Sequence, residues 1–217
     1  MSYIINTGQF EKGTQEQQAA FIQLFGSENT QYKFDLYFHW YNIIHEYGHC
    51  LCSYHESSII GLKQEFLVNR FAVSIWQYAG YEKELNNLQK MLSEILQRIE
   101  NPVPGNMSFT DYYEQIWETD EIMKVPIYGY FQFKSVQMAL ENREDLASVL
   151  GEMGIHKEIN NGFLPHKKYS ISSQTAKEAL HDIRQLLDSL GIEQPMVDVE
   201  LVDDPLIQCV NYCDSLS

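Results

Sequence analysis

Apolar residues recur at intervals of three and four along most of this chain, the period of helices with one buried face. The pattern predicts helices over Gln15–Phe25, 34–54, Leu62–Tyr78 and 82–99. In the last of these, Leu85, Leu88, Leu92, Ile95, Leu96 and Ile99 form a stripe that reads as an internal face. Further helices are expected over 111–123, 129–141, 144–153 and 175–190, the final one opened by a Thr175-x-x-Glu178 capping box and stopped by Gly191. Strand-like alternation is confined to 2–6 and Met196–Val202, while 32–40 fits either period. The expected fold is therefore mainly α, an α+β arrangement with at most a minor sheet. Asn101-Pro-Val-Pro-Gly-Asn106 is the one turn-rich break. It divides a core over 1–100 from a mainly helical part over 107–217, the two packed as one compact unit.

Composition narrows the functional classes. The chain has 217 residues, 44% of them hydrophobic, enough to bury a full core. Fifteen Lys and Arg stand against thirty Asp and Glu, a formal charge of −15. Such a chain repels phosphate backbones and anionic membranes, so neither nucleic acid nor membrane is an expected partner. Residues 1–108 carry 7 basic against 11 acidic groups, and residues 109–217 carry 8 against 19. The acidity of the second part reads as solvated helix faces. The first residues lack the basic start and apolar run of a secretory signal, and no apolar stretch approaches the length of a membrane span, so the chain reads as cytoplasmic. Four cysteines, Cys50, Cys52, Cys209 and Cys213, are too few for a disulfide scaffold and read as free thiols.

One segment carries chemistry. His45-Glu46-Tyr47-Gly48-His49 is an H-E-x-x-H pattern inside a predicted helix. Residues four apart stack on one face, so both imidazoles reach a single ion, while Glu46, about 100° around, addresses a metal-bound water as general base. An open site of this kind needs a third ligand, and two residues compete for the place. His55 stands where the longer H-E-x-x-H-x-x-G-x-x-H pattern puts a third histidine, but Cys52 replaces the glycine that lets the helix break. If the helix runs through Tyr54, His55 points away. Glu65 fits better: a helix ending about 5 residues past His49, a reversal through Glu56, Ser57 and Ser58, and a return of roughly 7 Å bring it level with His49. Asn69, one turn further on the same face, is placed to hold the outer nitrogen of one histidine.

These residues carry a resemblance. His45-Glu-x-x-His49 followed by Glu65-Phe-Leu-Val-Asn69-Arg-Phe71-Ala72 resembles the ImmA/IrrE group of metallopeptidase-like domains, whose second helix reads E-x-x-A-N-x-F-A. Val68 stands where that group usually has Ala, the 15-residue gap before Glu65 is short, and the match covers about residues 40–76. The resemblance implies a zincin-like helical core of the gluzincin type, with Zn²⁺ on His45, His49 and Glu65 and with Glu46 as general base. It also implies a protein or peptide substrate. Some members cut transcriptional repressors, which extends the analogy to a regulatory role.

Two classes of function follow: a zinc-dependent peptidase, and a non-catalytic binding or regulatory protein that retains a peptidase-like zinc site. A peptidase also needs a donor for the developing oxyanion. Tyr130, in the aromatic run Tyr128-Gly-Tyr130-Phe-Gln-Phe133, is the candidate, against the plainer reading of that run as core packing. Tyr47 is expected to pack beneath the site. His39, His156, His166 and His181 have no partner at ligand spacing, and nothing in the pattern sets the oligomeric state.

Overall fold

The computed structural model describes residues 2–159 and 168–213; His166 lies outside them. Strand β1 (Ser2–Gly8) leads through a 3₁₀ turn (Phe10–Lys12) to helix α1 (Gln15–Phe25), which Thr14 and Gln17 open with a reciprocal capping box. A short helix α2 (Thr30–Phe34), a π-helical segment (Asp35–Tyr41) and α3 (Asn42–Tyr54) then run end to end. This continuous helical rod is the predicted helix of residues 34–54, except for its π-wound middle. After α4 (Leu62–Tyr78) comes α5 (Glu82–Leu96), whose Leu85, Leu88, Leu92 and Ile95 are fully buried.

Beyond the turn-rich break stand α6 (Phe109–Ile116), a 3₁₀ turn (Asp120–Met123), α7 (Val125–Glu141), α8 (Leu146–Glu152) and α9 (Thr175–Ser189). The helix expected over 111–123 is divided because the Thr119 hydroxyl bonds the Ile116 carbonyl and accepts from Glu121 N–H, offering the backbone an alternative to the helix. The expected box at Thr175 does not form either. Gln174 occupies the cap position, and Thr175 Oγ1 accepts from Ser172 N–H at 2.9 Å and lies 3.4 Å from the Ser170 carbonyl. Gly191, at φ +66°, ends α9 as expected.

Two strands follow, β2 (Met196–Val202) and β3 (Gln208–Cys213), the latter not predicted. The sheet order is β2-β1-β3, with β1 parallel to β2 (Ser2 opposite Met196) and antiparallel to β3 (Thr7 opposite Gln208). Both β1 and β3 contact α3, and β2 contacts α9. Gly8 is required at the end of β1, because a Cβ there would lie 2.0 Å from the Asp204 carbonyl oxygen.

One apolar core runs from Tyr3 to Val199 and takes residues from both sides of the break at 101–106, so that stretch does not separate two cores. A smaller cluster of Leu62, Tyr113, Ile122, Ile127 and Phe131 fills the space between α4, α6 and α7. The chain is mainly helical with a three-stranded sheet. Among the described residues, no helix is long and apolar enough to cross a membrane.

Candidate metal centre

Helices α3 and α4 approach closely where Gly48 lies against α4. A Cβ at Gly48 would meet the Val68 Cβ at 3.0 Å and Phe71 Cδ1 at 3.1 Å, so only glycine permits this separation. The turn between the helices uses Glu56 at φ +52°, with Ser57 N–H reaching back to the Cys52 carbonyl, and Gly61 at φ +59°. The return brings Glu65 opposite both histidines: its two oxygens lie 3.4 Å from His45 Nε2 and 3.3 Å from His49 Nε2. One ligand atom from each of the three residues falls within a group no wider than 4.8 Å.

The outer nitrogens of both rings are held. His49 Nδ1 lies 2.9 Å from Gln64 Oε1, while Gln64 Nε2 donates to the Ile59 carbonyl at 2.7 Å. A carbonyl only accepts, so the amide orientation is determined and His49 Nδ1 must carry the proton. His45 Nδ1 lies 2.9 Å from Asn69 Oδ1, which also accepts from Tyr41 OH at 2.9 Å. Asn69 Nδ2 donates to Ser135 Oγ, and Ser135 in turn donates to the Gln132 carbonyl, so His45 Nδ1 is a donor as well. Both Nε2 atoms are thereby directed at the space beside Glu65.

This donor set fits zinc. Two imidazoles and a carboxylate are ligands it takes readily, and bonds of about 2.05 Å in tetrahedral array put ligand atoms about 3.3 Å apart, close to the two imidazole–carboxylate separations here. Electrostatics around the three residues point the same way. Burial would lower the His49 pKa, but contact with Glu65, reinforced by Glu46 and Gln64, outweighs it and lifts the value to about 9. Burial pushes Glu65 up, yet its bonds to His45 and His49 hold it well below the usual carboxylate range. A cation between them would satisfy the same carboxylate. Glu46, partly buried beside the cluster, accepts from Asn42 Nδ2 at 3.3 Å. Its pKa is raised by burial against the pull of His45 and His49.

The other predicted residues stand elsewhere. Since α3 continues through Tyr54, His55 caps the helix and its Nε2 meets the Glu193 carbonyl at 2.9 Å, away from the cluster. Tyr130 is not at the site: its ring faces Phe109 at 6.4 Å. Residues two apart on α7 point about 200° apart, and it is Tyr128, with Tyr37 of the π-helical segment, that feels the charges of Glu46 and Glu65. Tyr47 is buried and bonds Gln194, as a packing residue would. Cys50 and Cys52 are buried free thiols outside the cluster.

Sequence reasoning missed Gln64, Tyr41, Ser135, Asn42 and Tyr37. Asn42 sits four residues before Glu46, a spacing that could have revealed it; Ser135 is distant in sequence and left no local signal. No family model, curated protein or solved structure matches this chain.

Proposed function

We propose that this chain is a zinc-dependent peptidase of the gluzincin type, akin to the ImmA/IrrE group, acting on a protein or peptide. The observation that carries the reading is the convergence of His45, His49 and Glu65 with both outer ring nitrogens held as donors and a second acidic side chain, Glu46, alongside. Zinc, when bound, supplies the positive charge that acidifies water and polarises a carbonyl. His45, His49 and Glu65 would hold it. Glu46 takes the proton of the attacking water and returns it to the departing amine, and its burial favours the raised pKa such a shuttle uses. Asn42 keeps the carboxylate oriented. Strand β3 adds support: it packs beside α3, and its outer edge has no strand partner among the described residues, so an extended peptide can pair with it.

Metal analysis of the purified chain, with peptide cleavage by the wild type and by Glu46→Gln, tests the reading. One zinc per chain is expected, with turnover falling about 100-fold or more in the variant. Zinc without turnover would assign the site to a binding or regulatory protein, and absence of zinc would overturn both.

A further inference from the structure

The seven residues before α3 wind as a π-helix, with Asn42 N–H donating to the Tyr37 carbonyl. Such segments are uncommon beyond a single turn and concentrate at functional sites. This one is secured from outside: His39 Nδ1 meets Asp35 Oδ1 at 2.7 Å, His39 Nε2 meets the Gly8 carbonyl at 2.9 Å, and Asp35 also accepts from Gln31.

The winding changes where Tyr37 points. A π-helix turns by about 80° per residue against about 100° in an α-helix, so the four steps from Tyr37 to Tyr41 accumulate a difference of about 80°. In an unbroken α-helix Tyr37 would lie roughly 80° from His45, toward the face Gly48 presents to α4. The π turn carries it back nearly into line with His45. Tyr37 accordingly lines the crevice it shares with Asn42, His45, Glu65 and Asn69. It is 1% exposed, its ring fixed by Phe133 at 5.1 Å and Phe38 at 4.8 Å, and it makes no hydrogen bond with any described residue. With its ring held by packing and its place on the crevice wall beside His45 and Glu65, its hydroxyl is free to donate to an atom bound there.

We infer that Tyr37 is a catalytic residue of this site, its hydroxyl donating to the carbonyl oxygen of the bound peptide as that oxygen becomes negative. The inference rests on the peptidase reading above. In the step, the water oxygen bonds to the carbonyl carbon, the carbonyl π pair moves onto its oxygen, and Glu46 takes the water proton. Collapse re-forms the carbonyl and breaks the C–N bond, and Glu46 passes its proton to the amine. Tyr37 keeps its own proton throughout. Burial, with Tyr128, Glu46 and Glu65 nearby, holds its phenol well above the ordinary tyrosine range, so it remains a donor.

Tyr37→Phe in the full chain tests this, since the ring and its packing are retained. Metal content and the thermal midpoint should match wild type, while kcat falls about 100-fold or more with KM little changed, the loss typical of one oxyanion donor. Acetohydroxamate affinity for the cobalt-substituted protein, read by visible absorption, should fall about tenfold. Wild-type kcat and hydroxamate affinity in the variant, loss of metal from it, or losses confined to Tyr128→Phe would each overturn the assignment while leaving the peptidase reading intact. A wild-type chain that binds no zinc removes both.

Discussion

The amides of Gln64 and Asn69 each serve a histidine and a second partner at once, so neither can rotate without giving up a bond. That double engagement fixes both ring orientations and keeps a proton on each Nδ1, so Nε2 is the nitrogen left to an ion, which at His49 displaces the proton shared with Glu65. Gln64→Ala and Asn69→Ala should therefore each weaken zinc binding about 10- to 100-fold while leaving the ligand set complete, measurable by competition with a chelator. A zinc affinity unchanged in both would mean the rings are held by packing alone. At this scale the sequence was informative wherever helical spacing carries the message: two histidines four apart, and Asn69 four after Glu65. Gln64 escaped notice because it adjoins a ligand in sequence, and adjacency on a helix says nothing about a shared target. Tyr130 shows a related limit. Its run of aromatics marks a helix without telling which of its faces meets the site.

Between elements, the decisive contact is the one Gly48 allows. Replacing it with alanine drives a Cβ into Val68 and Phe71, and neither neighbour can retreat, since both are fully buried. Gly48→Ala should destabilise the protein by about 1–3 kcal/mol, the range for overpacking, and loosen zinc binding as His49 and Glu65 are pushed apart. Thermal unfolding of the metal-free chain separates the first effect from the second. Helix positions were legible because their apolar stripes are long and regular, as in α4 and α5. The π-helical segment was not, because its residues are aromatic or buried on every side and a uniform pattern has no period to read. Strand β3 is six residues long and pairs with a strand some 200 positions away, so nothing local announces it.

In the whole molecule, a single core takes side chains from both sides of the turn-rich break, and β1 is completed only by strands from the other end of the sequence. Unfolding should therefore be one cooperative event. Far-ultraviolet dichroism and tryptophan fluorescence should give coincident curves, with Trp40 and Trp76 reporting the main core and Trp117 the smaller cluster; an earlier transition in either signal would indicate a separable unit. The break at 101–106 was correctly seen as a turn, but a turn in sequence does not determine whether the cores on either side are joined. The placement of β1 also bears on synthesis. Its partner β2 begins 194 positions later, at Met196 opposite Ser2, and at about 5–20 residues per second a ribosome needs roughly 10–40 s to supply it. The helices bearing His45, His49 and Glu65 are complete long before that. Throughout the interval β1 has neither neighbour, so the nascent chain can present its metal ligands while the strand that will lie against α3 still awaits its sheet.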